Sequence, residues 1–363
     1  MSVSAPASFS EDGGSGVFTF SRGVVADPAQ MAFFDETGAI LPFEVDTWNE
    51  DGESLVWVLV PSLAQGATVS LATGNPGYAS PDLAPALWRL AGYVAVLHLG
   101  GDGPALAGST VQDVGATAYG PTGAEAGSEL AVAAGAVGAA RLVDGSAAGA
   151  STKARIAVDN FDAYPADYSR LTVSFWANHA ADPRASERLF GNRDVLESEA
   201  TGFHAILQNV STAARPVVRV VGTPTLNSAA NLDQQVDATP ASDVEWIGAW
   251  TLFSYSVQPT PDLTYFHVAG KRVSHSGHRQ GGTTGSTTFA SLMPRGAGVP
   301  FAFGNSVDTV KSGYQSFKGS MDEIRVRNGA VTDDWAFAEY ATVKDPEFLA
   351  CRTRTPPSMI FLW

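Results

Sequence analysis

The sequence predicts an all-β chain of two domains, and three observations carry that prediction. Its 363 residues are about two domains' worth of chain and enough to bury large cores without covalent staples. Short apolar runs recur along it, separated by Gly, Pro, Asn and Asp, which is the punctuation of strands and turns. Strands do not alternate with helical segments, so the parallel sheet of a nucleotide-binding α/β domain is not expected.

In chain order, the first strands fall at Gly16–Phe20, Ser54–Val60 and Thr68–Ala72. Ser54–Val60 is apolar on both faces, with Leu55, Trp57 and Leu59 opposite Val56, Val58 and Val60. That pattern marks a central strand covered on both sides, and Pro61 is expected to end it because proline has no amide to donate. Pro76, Pro81 and Pro85 place a boundary next. The predicted division is a small β-sandwich over residues 1–80, a linker over 81–91, a larger sandwich over 92–350 and a tail over 351–363. Strands of the larger part are expected at Tyr93–Leu99, Leu171–Asn178, Gly202–Leu207, Val217–Val221, Thr251–Val257, Leu263–Val268, Phe301–Gly304 and Met321–Arg327. Residues 124–150 hold too many glycines for a helix and read as a loop with a short strand near Ala139–Val143. The Gly-Thr-Ser run at 281–288 reads as a flexible loop. One helix is expected, at Thr332–Val343: Thr332 can cap it, Asp333 and Asp334 suit its first turn, and Pro346 lies beyond it.

Composition narrows the function. The formal net charge is −15, which argues against nucleic acid and against adhesion to anionic lipid. Charged residues are only 16%, so the surface leans on uncharged polar groups. The single cysteine, Cys351, rules out an intrachain disulfide and a thiolate metal cluster. Met1–Pro6 lacks the basic and apolar regions of a secretory signal. The apolar end, Met359–Trp363, reads either as the beginning of a hydrophobic membrane segment beyond the C-terminus or as an unstructured tail.

Two stretches resemble known families. "MAFFDETGAILPFEVDTW", "SLVWVLVPSL" and "TVSLATGNP", within residues 31–76, resemble the bacterial DUF2341 domain, a small β-sandwich that usually precedes a laminin G-like domain. "YVAVLHLGGDG", "LTVSFWAN" and "YQSFKGSMDEIRVRNGAVTDDWAFAEY" resemble the opening, middle and closing strands of a concanavalin A-like (laminin G-like) jelly roll. The loop at Asp113–Tyr119 lacks the asparagines that such domains often carry. The resemblance implies an extracytoplasmic setting of bacterial type, a glycan or cell-surface ligand, and a structural calcium ion. DUF2341 domains also occur on biopolymer-transport-type channels, which implies an alternative role as a structural or sensory ectodomain. A glycoside hydrolase is the second alternative.

The candidate site residues follow. Strict alternation in Met321–Arg327 places Asp322 beside Ile324 and Val326, on the apolar face. A buried carboxylate there needs amides, a cation or a metal, so Asp322 is the first calcium candidate, with Asp144 and Asp113 as weaker partners. Its alternative partners are turn amides or an arginine. Trp176 shares a strand face with Thr172, Ser174 and Asn178. A tryptophan among small polar groups suits a sugar platform, so Trp176, Asn178 and Arg325 are the candidate ligand-binding set; the alternative is a tryptophan covered by a loop or a neighbouring domain. Glu44, Asp46 and Glu50 invite comparison with the acidic strand of family-16 glucanases, but Trp48 stands at the position expected for the third acid, Glu50 falls in the Asn49–Gly52 turn, and the motif precedes the jelly roll. It is read as an acidic strand end leading into a turn, and no catalytic residue is assigned. His275 and His278 sit among Lys271, Arg272 and Arg279, a cationic setting that disfavours zinc.

Overall fold

A computed structural model describes residues 2–3, 10–20, 28–48, 54–64, 67–72, 84–100, 116–119, 130–144, 154–158, 171–180, 186–192, 202–209, 216–223, 234–238, 247–258, 263–273, 275–279, 301–305, 314–345 and 348–350. The chain divides into two compact units, residues 1–87 with 338–363, and residues 88–337. Both are built of β-sheet. Among the described residues no helix is long and apolar enough to cross a membrane.

The smaller unit contains β1 (Ser2–Val3), β2 (Ser10–Phe20), β3 (Ala32–Phe34), β4 (Ile40–Leu41), β5 (Phe43–Thr47), β6 (Ser54–Ala64) and β7 (Ser70–Ala72). They form two three-stranded sheets, β2-β6-β5 and β4-β3-β7, and β1 pairs with the C-terminal strand Leu349–Ala350. The strand β6 is central, and Val56, Trp57 and Val58 are buried, as its two apolar faces require. It does not stop at Pro61. The strand β5 pairs only with Leu55–Val58, so by residue 61 only β2 remains alongside, and the missing amide costs no ladder bond.

The larger unit contains β8 (Tyr93–Leu97), β9 (Ala116–Tyr119), β10 (Val132–Ala134), β11 (Ala139–Asp144), β12 (Arg155–Val158), β13 (Leu171–His179), β14 (Ser186–Gly191), β15 (Gly202–Asn209), β16 (Pro216–Thr223), β17 (Gln234–Ala238), β18 (Thr251–Gln258), β19 (Leu263–Val268), β20 (Lys271–Val273), β21 (His275–Arg279), β22 (Phe301–Phe303), β23 (Tyr314–Ser316) and β24 (Lys318–Asn328). One sheet runs β10-β11-β24-β13-β18-β19-β20, with β8 also on β24. The other runs β21-β17-β16-β15-β14-β22-β12-β9, with β23 on β14. Their inner faces enclose one apolar core that includes Val173, Phe175, Phe190, Phe253, Tyr255, Phe301, Phe303, Ile324 and Val326. Phe175 stacks on Phe253 and meets Phe190 and Phe303 edge-on, the geometries aromatic pairs prefer. This is the sandwich the apolar runs predict.

Two helices accompany the strands, α1 (Ala84–Leu90) and α2 (Asp333–Lys344). The helix α2 matches expectation: the Thr332 hydroxyl accepts a hydrogen bond from the Trp335 amide at 3.2 Å, and Asp333 and Asp334 occupy the first turn. The helix α1 lies where a linker is expected. The cluster of prolines suggests a break, but Pro85 falls in the first turn, where its missing amide is no loss. The glycine-rich segment holds a hairpin, β10–β11, in place of the single strand expected there. The segment 281–288, Cys351 and the terminal apolar residues lie outside the described residues.

Candidate functional site

Among the described residues of the larger unit, a group of buried charged residues lies at a junction on β24. One side of β24 pairs throughout with β13. Its other side is shared: β11 pairs with Lys318–Met321 and β8 with Ile324–Arg327. Asp322 and Glu323 fall in the gap between these two partners. The register against β13 slips at the same place, since Ser174 faces Arg325 while Trp176 faces Asp322. The extra residue is a β-bulge, and Glu323 takes the left-handed conformation with φ at 48°, which a non-glycine residue adopts only at a cost.

The bulge corrects the predicted faces. Strict alternation puts Asp322 with Ile324 and Val326. The slip instead leaves Met321, Ile324 and Val326 in the core, with Asp322 opposite Trp176 on the other face of the sheet. Asp322 is fully buried. Its Oδ1 accepts the Glu323 amide at 2.8 Å, and its Oδ2 accepts the Val137 amide from the β10–β11 turn at 3.0 Å. Of the alternatives open to the sequence, turn amides are what the structure supplies.

Glu323 is equally buried. Its Oε1 accepts from His98 Nδ1 at 2.6 Å and its Oε2 from Arg325 Nη2 at 2.7 Å. The Arg325 guanidinium lies over the Trp88 ring, 5.3 Å from its centroid, and Trp88 also packs beside His98. Burial pushes the Glu323 carboxyl up, but the charges of His98 and Arg325 and their hydrogen bonds outweigh it and hold the group below its usual value. Glu323 is therefore ionised. A second buried pair joins the two sheets: Glu187 Oε2 on β14 accepts from His179 Nε2 on β13 at 2.7 Å and from the Lys318 amide at 3.0 Å.

These contacts decide where the sequence-predicted residues stand. Trp176 and Arg325 are buried with almost no exposed surface, so neither side chain is exposed to a ligand in this structure. Asn178 is half-buried. Asp144 is in β11, paired with Lys318, four residues along β24 from Asp322 and thus about 13 Å away at the rise of a strand. Asp113 and Glu50 lie outside the described residues. In the smaller unit a bulge between Val45 and Thr47 breaks the alternation of the acidic strand, and Asp46 Oδ2 accepts the Trp57 indole N–H at 3.5 Å. The residues that sequence reasoning missed are Glu323, His98 and Trp88. The only signal for them is a Glu-Ile-Arg triplet that reads as ordinary strand, because the bulge depends on two partner strands meeting on β24.

Part of the outer face of this first sheet is buried. Thr172, Ser174, Ser254 and Ser256 are buried beside Trp176. The Thr172 hydroxyl is 2.8 Å from Ser256 Oγ and donates to the Gly329 carbonyl at 2.7 Å. At its edge, Asp333 Oδ1 accepts from His267 Nε2 at 2.8 Å and Arg272 Nε at 2.7 Å, and Arg272 lies over the Tyr265 ring. Partial burial raises the Asp333 carboxyl, while His267 and Arg272 together bring it below its usual value.

The second sheet differs. Phe190 and Ala205, both in the core, stand in one line of register with Val220, Val236 and Gly277 across five strands. The alternate rows carry polar residues among small and apolar ones. One reads Gly191, His204, Val221, Gln235, His278, and continues the other way through Ala302 and Ala157. The next reads Arg188, Ile206, Arg219, Asp237, Ser276. Because a strand has a period of two, both rows alternate along the strands with the row of Phe190 and Ala205.

No protein-family model matches the chain, and no curated protein matches it. Solved structures share its outline at low identity. Domain 4 of AbnA, a GH43 extracellular arabinanase from Geobacillus stearothermophilus, in complex with arabinotriose, has a TM-score of 0.43 and 17% identity, over 68% of this chain and 96% of that one. The Ruminococcus gnavus IT-sialidase CBM40 bound to alpha2,3 sialyllactose has a TM-score of 0.34 and 12% identity, over 47% and 83%. The enzymatically active domain of bacteriophage CBA120 tailspike protein 2 has a TM-score of 0.39 and 10% identity, over 56% and 27%. These likenesses carry no residue role across to this chain.

Proposed function

We propose that the larger unit is a non-catalytic binding module of extracytoplasmic setting, and that it takes a glycan on the outer side of its second sheet. The observation that carries the reading is the pair of polar rows. The register aligns His204, Gln235 and His278 in one row, and Arg219, Asp237 and Ser276 in the next, so residue types that can donate and accept hydrogen bonds recur at a strand spacing of roughly 5 Å. Sugar hydroxyls need mixed donors and acceptors of this kind.

The non-catalytic part of the proposal has its own support. Hydrolysis of a glycosidic bond uses two carboxyls about 5–10 Å apart that reach the substrate. Glu187, Asp322 and Glu323 are buried, and all of them accept hydrogen bonds from the chain's own donors. They serve the junctions of the sandwich.

A glycan array probed with the full chain tests the proposal. Binding to a related subset of sugars, without release of reducing ends on prolonged incubation, is the expected outcome. Uniformly blank arrays would remove the glycan reading, and sugar release would remove the non-catalytic one.

A further inference from the structure

The resemblance to concanavalin A-like jelly rolls implies a structural calcium ion, and the sequence places it at Asp322 with Asp144 and Asp113. The residues around Asp322 do not fit that ion. Calcium collects about six to eight oxygens at roughly 2.3–2.6 Å. Each of the two Asp322 oxygens accepts an N–H: Oδ1 the Glu323 amide and Oδ2 the Val137 amide. These are the positive ends of peptide dipoles, directed at the oxygens a cation would have to approach.

Space is also taken. Gly135, in the same turn as Val137, packs so closely on Asp322 Oδ2 that a Cβ there would overlap it, and the Val137 carbonyl would stand only 2.7 Å from that Cβ. The nearest acid is Glu323, whose carboxylate is already neutralised by His98 and Arg325. Asp144 stands across from Lys318, four positions further along β24.

We infer that Asp322 holds no calcium ion, and that the clasp from its carboxylate to the Val137 amide fastens the β10–β11 hairpin to β24 without a metal. The hairpin needs such a fastening because β11 reaches only as far as Met321 on β24, and its turn at Gly135–Gly138 projects past the last ladder pair. Two glycines make this approach feasible: Gly138 has φ at 58°, and Gly135 leaves room for the carboxylate.

Thermal unfolding of the full chain in chelator and in millimolar calcium tests the inference, with hydrogen exchange over residues 131–139 as a second readout. The two melting temperatures are expected to agree within about 1 °C, since an ion that does not bind the native state cannot shift it. Asp322→Asn, which turns one acceptor into a donor facing an amide, is expected to speed exchange in the hairpin equally in both conditions. A rise of about 5 °C or more on adding calcium that Asp322→Asn abolishes would overturn the inference; a rise that persists in Asp322→Asn places the ion elsewhere and leaves it standing. Unchanged hairpin exchange in Asp322→Asn would overturn the clasp. If that variant fails to fold, the comparison of wild-type hairpin exchange with and without calcium still decides. Neither readout depends on the glycan proposal.

Discussion

Replacing Glu323 with glutamine removes one charge from a fully buried site and leaves its partners in place. Arg325 has almost no exposed surface, so its guanidinium would stay buried opposite a neutral amide. Breaking a buried pair from one side costs about 3–5 kcal/mol. Glutamine still offers one oxygen to His98 or Arg325, which sets the expectation near the lower end, about 3 kcal/mol. For a unit of this size that is a fall of roughly 6–12 °C in melting temperature. The double variant Glu323→Gln with Arg325→Met removes both charges and keeps the long side chain over Trp88. It is expected to regain at least half of the loss, because the penalty lies in the orphaned charge. Urea titration followed by circular dichroism gives both values. The reasoning would be refuted if the double variant were as unstable as the sum of its two single variants.

Other outcomes follow from the same contacts. The carboxyls of Glu323 and Asp333 are both held below their usual values in the fold, so their stabilisation is complete above the unfolded values, near 4, and is lost as pH falls through the lower folded values; Glu323→Gln and Asp333→Asn should each flatten the acid limb of a stability–pH profile. Gly319→Ala should be severe, because a Cβ there would overlap the Asn178 carbonyl of β13, and loss of the β13–β24 ladder would appear as rapid exchange in both strands. Thr332→Ala should cost about 1 kcal/mol through the lost cap of α2, measured by thermal unfolding.

The all-β class, the central strand β6 and the capped helix α2 were legible because local pattern determines them: two-sided apolar runs, turn residues, and a threonine before two aspartates. The candidate site was much less so. Asp322 reads correctly as a carboxylate that must find partners, yet its face is wrong by one bulge, and no sequence period reports a slip caused by β8 and β11 both ending on β24. Trp176 reads correctly as sharing its face with Thr172 and Ser174. Its burial depends on what packs over the sheet, which alternation along one strand does not encode. The polar rows of the second sheet were illegible for a similar reason. His204, Gln235 and His278 are scattered over 75 residues, and only the register of four strands brings them into line.

The central claim is that those rows take the ligand. Affinity for the best array sugar, measured by calorimetry on the wild-type chain and on a His204→Ala, Gln235→Ala double variant, tests it most directly. The account predicts a loss of at least about tenfold, two modest hydrogen bonds' worth, with the melting temperature unchanged. Undiminished affinity in a variant of unchanged stability would contradict it.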